Sequence, residues 1–558
     1  LPAMLVVVII TVVLGYIILL PHDFRELGQS LVAHSLALSN FYFWRESGYF
    51  DGPSEIKPLL HTWSLAVEEQ FYLLMPGLLV ILHRWFRKQL SKILGIFAVM
   101  SLAWCIHSTN TSPSTAFYLL PARAWELLLG ALIATSGPII RLKRWQSEVV
   151  SLLGLASVFL SIVLYRSVIP FPGAYALIPC VGTAAMIVGN AHHDTLVRRL
   201  LSIPVFVGVG LISYSLYLWH WPLFAFANYL LPGSLPLGLA LGLVTLSLSL
   251  AYLSWRFVET PFRRQGLIRE RGVVFVVGGI AMTIMLVAGI GLHQLNGLRG
   301  RFSSEALQLA DGRTDRNPYR NQHHDLSLTR LRNLEKPLVS GANAQPNVII
   351  LGDSHGDALM PGIVRLCETH QLTAMAITRS ATLPLCFTTS PKNAGEQAFY
   401  DVVINRLQAT PSLKHAILVA RWTEYSAEWL NELSLGKTIQ GLEKLGLKVW
   451  LVRQVPEPAS DVPRFYALSQ RWPMAETRIA PSKQDHAARR RSMDDLLSAI
   501  GSTVSTLDPA SALFQKGPVA TLQHDGRPLY FDGNHLSRFG AILVSSTMAS
   551  AFEIMAQD

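Results

Sequence analysis

The sequence predicts two parts in different solvents: a polytopic α-helical membrane domain, then a doubly wound α/β domain. Three observations carry this. Half of the 558 residues are hydrophobic and the mean hydropathy is +0.33, too apolar for an ordinary soluble chain of this length. The apolar runs crowd into the first 295 residues, whereas 296–558 has globular composition. From Val348 onward, short apolar runs alternate with helical patterns, the signature of parallel βαβ units.

The membrane part follows from length. About 20 apolar residues cross roughly 30 Å of hydrocarbon. Such runs lie near 3–20, 69–86, 91–108, 116–136, 148–165, 174–190, 205–230, 237–257 and 272–295, which makes nine spans within residues 1–295. The stretch 27–44 carries Gln29, His34, Ser35, Ser39 and Asn40, and reads as a re-entrant or interfacial segment. With nine spans, four basic clusters fall on one side: Arg84 to Lys92, Arg141 to Arg144, Arg198 with Arg199, and Arg263, Arg264, Arg269 and Arg271. The loops at 109–115 and 231–236 hold no Lys or Arg. By the positive-inside rule the basic side is cytoplasmic, with Leu1 in the cytoplasm and Asn296 onward outside; counting 27–44 as a crossing would move Leu1 outside and leave the later basic loops cytoplasmic. The same clusters account for the formal charge of +10, so the expected partner is the lipid bilayer and not nucleic acid.

On an oxidising outer side Cys367 and Cys386 are candidates for a disulfide, while Cys105 and Cys180 fall inside spans as packing residues. No C-x-x-C occurs, and no metal site is expected.

Ionisable groups inside a membrane are costly, which makes each a functional candidate. Glu68 and Glu69 stand at the start of the second span, in H-T-W-S-L-A-V-E-E-Q-F-Y (61–72). Arg123 and Glu126, three apart on one helix face, read either as acyl-transfer residues or as a neutralised tie between helices. His220 sits among aromatics in S-Y-S-L-Y-L-W-H-W-P (213–222), as a functional group or as a neutral core histidine. A fourth polar stretch, W-R-F-V-E-T-P-F-R (255–263), closes a span.

In the outer part, 296–347 is rich in Arg, Asn, Asp and His without periodicity and reads as a linker, with 348–558 as the domain proper. Its expected strands are 348–351, 372–377, 415–420, 447–453 and 503–507. The helices are 357–370, 395–408, 426–445, 485–500 and 537–555. The first strand stops at Gly352-Asp353-Ser354-His355-Gly356, where a turn lifts Ser354 off the strand end as a candidate nucleophile. Asp532 and His535, in Asp-Gly-Asn-His, supply the acid and base of a Ser-His-Asp set. The irregular stretch from Pro456 to Lys483, with Arg464, Tyr466, Arg471 and Trp472, reads equally as a sugar-lining segment or a surface excursion.

The four membrane motifs, with R-A-W-E-L-L-L-G (123–130) as the second, resemble the acyltransferase 3 family of membrane O-acyltransferases. The part with G-D-S-H and D-G-N-H resembles the SGNH hydrolase-type domain, flavodoxin-like in fold, fused to many of them. The resemblance implies a multi-pass protein of the bacterial inner membrane with a periplasmic C-terminal domain. It implies transfer of an acetyl group from cytoplasmic acetyl-CoA to a hydroxyl of an exported polysaccharide, lipopolysaccharide O-antigen foremost. Peptidoglycan is the alternative acceptor, and a glycan-binding or transport protein with a non-catalytic outer domain is the alternative class. Two departures stand out. Family members usually begin with two further helices bearing an Arg and a His, ahead of the region that starts here at Leu1. No Gly-x-Asn-Asp lies between Ser354 and Asp532; Arg421-Trp422-Thr423-Glu424 stands there instead, leaving the Ser354 N–H as the assignable oxyanion donor.

Overall fold

The computed structural model describes residues 2–47, 53–136, 141–166, 169–263, 271–334, 336–342, 345–388, 391, 393–425, 429–500 and 504–558. They fall into two compact units, Leu1–Arg299 and Gly300–Asp558.

In the first unit every expected span is helical: Pro2–Ile18, Thr62–Phe86, Leu90–Thr111, Leu120–Ser136, Arg144–Leu164, Leu177–Gly189, Pro204–Leu230, Leu237–Ser254 and Arg271–Gln294. Among the described residues six helical stretches are long and apolar enough to cross a membrane. One of these, Arg538–Gln557, belongs to the second unit, where its apolar face is buried. The span expected at 116–136 is broken at Leu119, whose extended backbone separates Pro113–Tyr118 from Leu120–Ser136. Pro121 sits in the first turn of the new helix, where its missing N–H costs nothing. Arg264 and Arg269 of the fourth basic cluster lie outside the described residues.

The stretch at 27–44 forms two short helices, Pro21–Ser35 and Ser39–Arg45. Fifteen helical residues span only about 22 Å, less than the hydrocarbon thickness. Its polar residues are used for packing. Gln70 Nε2 donates to Asn40 Oδ1 and to the Ala37 carbonyl, both at 2.8 Å, and Ser39 Oγ donates to the Thr62 carbonyl at 2.8 Å. The Pro21–Ser35 helix meets Arg271–Gln294 at Gly28 and Gly289. A Cβ on Gly289 would lie 2.6 Å from the Gly28 carbonyl oxygen, so only glycine lets the two backbones approach this closely.

The second unit is built on a parallel sheet of β1 (Val348–Gly352), β2 (Ala374–Thr378), β3 (His415–Val419), β4 (Lys448–Val452) and β5 (Ser505–Leu507), in the order β2-β1-β3-β4-β5. β1, β2 and β3 are buried along their whole length, as expected for continuous apolar runs covered on both faces. Helices Ser354–Thr369, Ala394–Gln408, Glu432–Lys444, Lys483–Ile500 and Arg538–Ser545 connect or follow the strands. Residues 426–428 and 503, included in the expected helix 426–445 and the expected strand 503–507, lie outside the described residues. Chain order reverses between β1 and β3, so the crevice of this sheet opens where Ser354 leaves β1.

The expected linker is in large part an ordered strap of the second unit. From Gly300 it forms Ser304–Asp311, which packs against Val462–Ser469, then Arg320–His323 and Leu328–Arg332. It then touches both ends of β2: His324 bridges Thr378, and Val339 pairs antiparallel with Ala374. The disulfide reading is not borne out. Cys367 and Cys386 are both free and buried, one on the Ser354–Thr369 helix and the other in the core, and burial pushes each thiol up to about 12.

Candidate active site

The short strand β1 delivers the chain to Asp353, whose side chain caps the Ser354–Thr369 helix by accepting from the His355 N–H at 2.7 Å. Ser354 is therefore the first residue of that helix, at the positive end of its dipole. The other Asp353 oxygen accepts from the Arg421 N–H at 2.8 Å and from the Tyr425 hydroxyl at 3.2 Å, tying the ends of β1 and β3 together. The Arg421 backbone donor is thus spent on Asp353. The guanidinium pairs with Glu457 at 2.7 and 2.9 Å and with Glu424 at 3.0 Å. The segment that replaces Gly-x-Asn-Asp acts here as a brace.

His535 Nε2 lies 2.9 Å from Ser354 Oγ, and its Nδ1 lies 2.8 Å from Asp532 Oδ2. With the carboxylate accepting from Nδ1–H, Nε2 is left as the acceptor for the serine proton. Asp532 Oδ1 accepts from the N–H groups of Asn534 and His535 at 2.9 and 2.8 Å, which makes the turn a rigid holder for the imidazole. Burial raises the Asp532 pKa, but the hydrogen bonds and charge of His535 and the two N–H donors outweigh it, so the carboxyl sits below its ordinary value. Phe531 stacks on His535 with centroids 5.3 Å apart and planes within 3°. The Pro456–Lys483 stretch is a support for this turn: the Pro456 carbonyl accepts from Tyr530 Oη at 2.5 Å and Val462 N–H donates to the Asp532 carbonyl at 3.2 Å.

Three neighbours escaped the sequence. The ring of His355 lies 4.7 Å from that of His535, and its buried Nε2 finds no hydrogen-bond partner among the described residues. Burial, then the charges of His535 and Arg421, hold His355 well below the ordinary histidine range, so it stays neutral beside the base. Asn534 Oδ1 is likewise buried without a hydrogen-bond partner among the described residues. Arg316 of the strap lies over Phe531, 4.8 Å from the ring centroid.

In the first unit, Arg123 and Glu126 are paired at 3.1 Å, and the guanidinium lies over Trp63, Phe117 and Phe171 at 5.7–6.0 Å. His220 Nδ1 contacts the Tyr217 carbonyl at 2.8 Å. Its ring lies 6.2 Å from that of His61, a buried histidine with both nitrogens unpartnered among the described residues. His61 opens the motif at 61–72, but its neighbour His220 is 159 residues away and only the fold joins them. No hydrogen bond or ion pair among the described residues engages Glu68 or Glu69, and neither is joined to Arg123 or His220. One group, His22, Asp23 and Glu26, holds three potential metal-ligating atoms within 4.8 Å of one another. It is partly exposed, and Asp23 already accepts from Tyr229 Oη at 2.5 Å.

Comparison with known proteins agrees with this division. Residues 1–256 match the family described as "Acyltransferase domain", and residues 320–550 match "SGNH domain (fused to AT3 domains)". The chain is 30% identical over 278 residues to the peptidoglycan O-acetyltransferase of Listeria monocytogenes, covering 47% of this chain and 44% of that one. It is 30% identical over 296 residues to an O-acetyltransferase of Staphylococcus aureus (strain NCTC 8325 / PS 47), covering 50% and 49%. The matches thus span about half the length of these relatives. The solved periplasmic domain of a Salmonella ser. Paratyphi A lipopolysaccharide acetyltransferase aligns at 13% identity and a TM-score of 0.35, covering 44% of this chain and 99% of that one. The chain thus carries, in order, a region matching the acyltransferase domain and a region matching the SGNH domain that is fused to such domains.

Proposed function

We propose that the chain is an O-acetyltransferase that moves an acetyl group from cytoplasmic acetyl-CoA to a hydroxyl of an exported glycan. The observation that supports this best is the hydrogen-bonded line Asp532–His535–Ser354, set at the crevice of the sheet. His535 takes the Ser354 proton as Oγ attacks the acetyl carbonyl and gives it to the donor's leaving group as that departs, so the acyl-enzyme forms with His535 again a base. A sugar hydroxyl, deprotonated by His535, then displaces Ser354. The Ser354 N–H, at the helix start, stabilises the oxyanion of each addition. In this reading the protein sits in a bacterial inner membrane with the second unit in the periplasm, and Ser354 is the second station of a relay. The first station lies in the membrane unit, where His220 with His61 beside it is the foremost candidate and Glu68 and Glu69 are further ones; the Arg123–Glu126 pair is a tie.

Lipopolysaccharide O-antigen is the acceptor proposed first. Peptidoglycan is the second reading, favoured by the name of the Listeria relative. Mass spectrometry of both polymers from cells carrying wild type, Ser354→Ala, His535→Ala or His220→Ala tests the set. Each variant should lose acetylation. Unchanged acetylation with Ser354→Ala would remove the second unit from the chemistry, and acetyl groups on peptidoglycan alone would move the acceptor.

A further inference from the structure

Three consecutive strap residues meet both halves of the Ser-His-Asp set. The Asp315 carbonyl accepts from the Arg538 N–H at 2.8 Å, and its carboxylate accepts from the Phe539 N–H at 3.0 Å, in the first turn of the helix that follows His535. Buried Asn317 donates to Asp357 at 2.8 Å, in the first turn of the helix that Ser354 begins, where Arg320 also pairs with Asp357 at 2.5 Å. Arg316 is held between these anchors, its guanidinium over Phe531, which is itself stacked on His535.

Arg316 is exposed, and Nε donates to the Arg313 carbonyl at 3.2 Å. Its two Nη groups have no hydrogen-bond partner among the described residues. Asp532 lies within electrostatic reach, but its oxygens are occupied by His535 Nδ1 and by two backbone N–H groups. The guanidiniums of Arg313 and Arg320 and the carboxylates of Asp357 and Asp532 lie within electrostatic reach of Arg316. A fork of free, charged donors at this place suits a bidentate oxyanion.

We propose that Arg316 is a specificity-determining residue that binds a negatively charged group of the acceptor glycan, a carboxylate or a phosphate, and so positions its hydroxyl at Ser354. The proposal rests on the transferase reading above. The test uses the full chain in detergent with p-nitrophenyl acetate as acetyl donor. Acceptors are a hexuronate-containing oligosaccharide, a phosphate-substituted one, and the neutral carboxyl-reduced or dephosphorylated parent of each. Rates are expressed per site titrated with a fluorophosphonate that labels Ser354. Wild type should favour at least one anionic acceptor over its neutral parent, and which one identifies the group. Arg316→Gln, which keeps donors but loses charge, should raise KM for that acceptor by roughly tenfold to a hundredfold. KM for the neutral parent should not move, and Arg316→Lys should recover part of the loss. Equal use of anionic and neutral acceptors by wild type would overturn the proposal. So would an Arg316→Gln variant that keeps the preference or loses both acceptors equally, the latter marking Arg316 as a packing residue. Failure of Ser354 to label in wild type would instead sink the triad reading, and the proposal with it.

Discussion

Asp532 has no spare oxygen: one holds the imidazole and the other holds the turn. Asp532→Asn preserves the shape but favours the wrong tautomer of His535. Turnover should fall roughly a thousandfold or more while the unfolding midpoint moves far less, measured side by side on the purified variant. Because the carboxyl is held below its ordinary 3.8, its stabilising charge is complete above pH 3.8 and is lost only as pH falls through the lower folded value. Buried histidines act at milder acidity. Burial, reinforced by neighbouring positive charge, lowers His323 to about 3 and His486 to about 4 from 6.5. The unfolded chain takes up protons from pH 6.5 downward and the folded one does not. The second unit should therefore be fully stable above pH 6.5 and lose on the order of a few kcal/mol by pH 4.5. Hydrogen exchange of its core amides at the two pH values reads this out, and equal protection would refute it. Ser354, Asp532 and His535 were legible because each stands in a short motif whose chemistry is local. Arg316 and His355 were not, because their meaning comes from rings and charges that only the fold brings near.

Between elements, the decisive contact is that of the Ser354–Thr369 and Arg538–Ser545 helices, one started by the nucleophile and the other following the base. They touch at Gly362, where a Cβ would lie 2.3 Å from the Ala541 carbonyl oxygen. Gly362→Val must push the helices apart, with a cost of about 1–3 kcal/mol in overpacking. Activity should fall further than stability, since the 2.9 Å Ser354–His535 hydrogen bond spans the same joint. Thermal unfolding and turnover measured together check this, and a variant with normal activity would contradict it. The strands of this layer were legible as apolar runs, and the helices as periodic ones. The strap was not, because its hydrogen bonds run from side chains such as Asp315 and Asn317 to distant elements and leave no period. The polar residues at 27–44 serve packing, since Ser39 and Asn40 are committed to other helices.

For the whole molecule, the proposed orientation makes the loop holding Lys143 cytoplasmic. A cysteine placed there by Lys143→Cys should resist a membrane-impermeant thiol reagent in intact cells and react after permeabilisation. Labelling of intact cells would reverse the topology and detach the SGNH-type unit from an exported substrate. The two-part division was legible from hydropathy alone, but its boundary was not. Composition changes near residue 296, and the second compact unit starts at Gly300, well before the first strand at Val348. That offset governs how the second unit can be cut free. β2 is the last strand in the sheet order, and the strap occupies its outer rim at Ala374 and Thr378. A fragment begun at Val348 would bare a row of unpaired amides and carbonyls, the template for strand-to-strand self-association. Such a fragment should aggregate, whereas one begun at Gly300 should run as a monomer in size-exclusion chromatography.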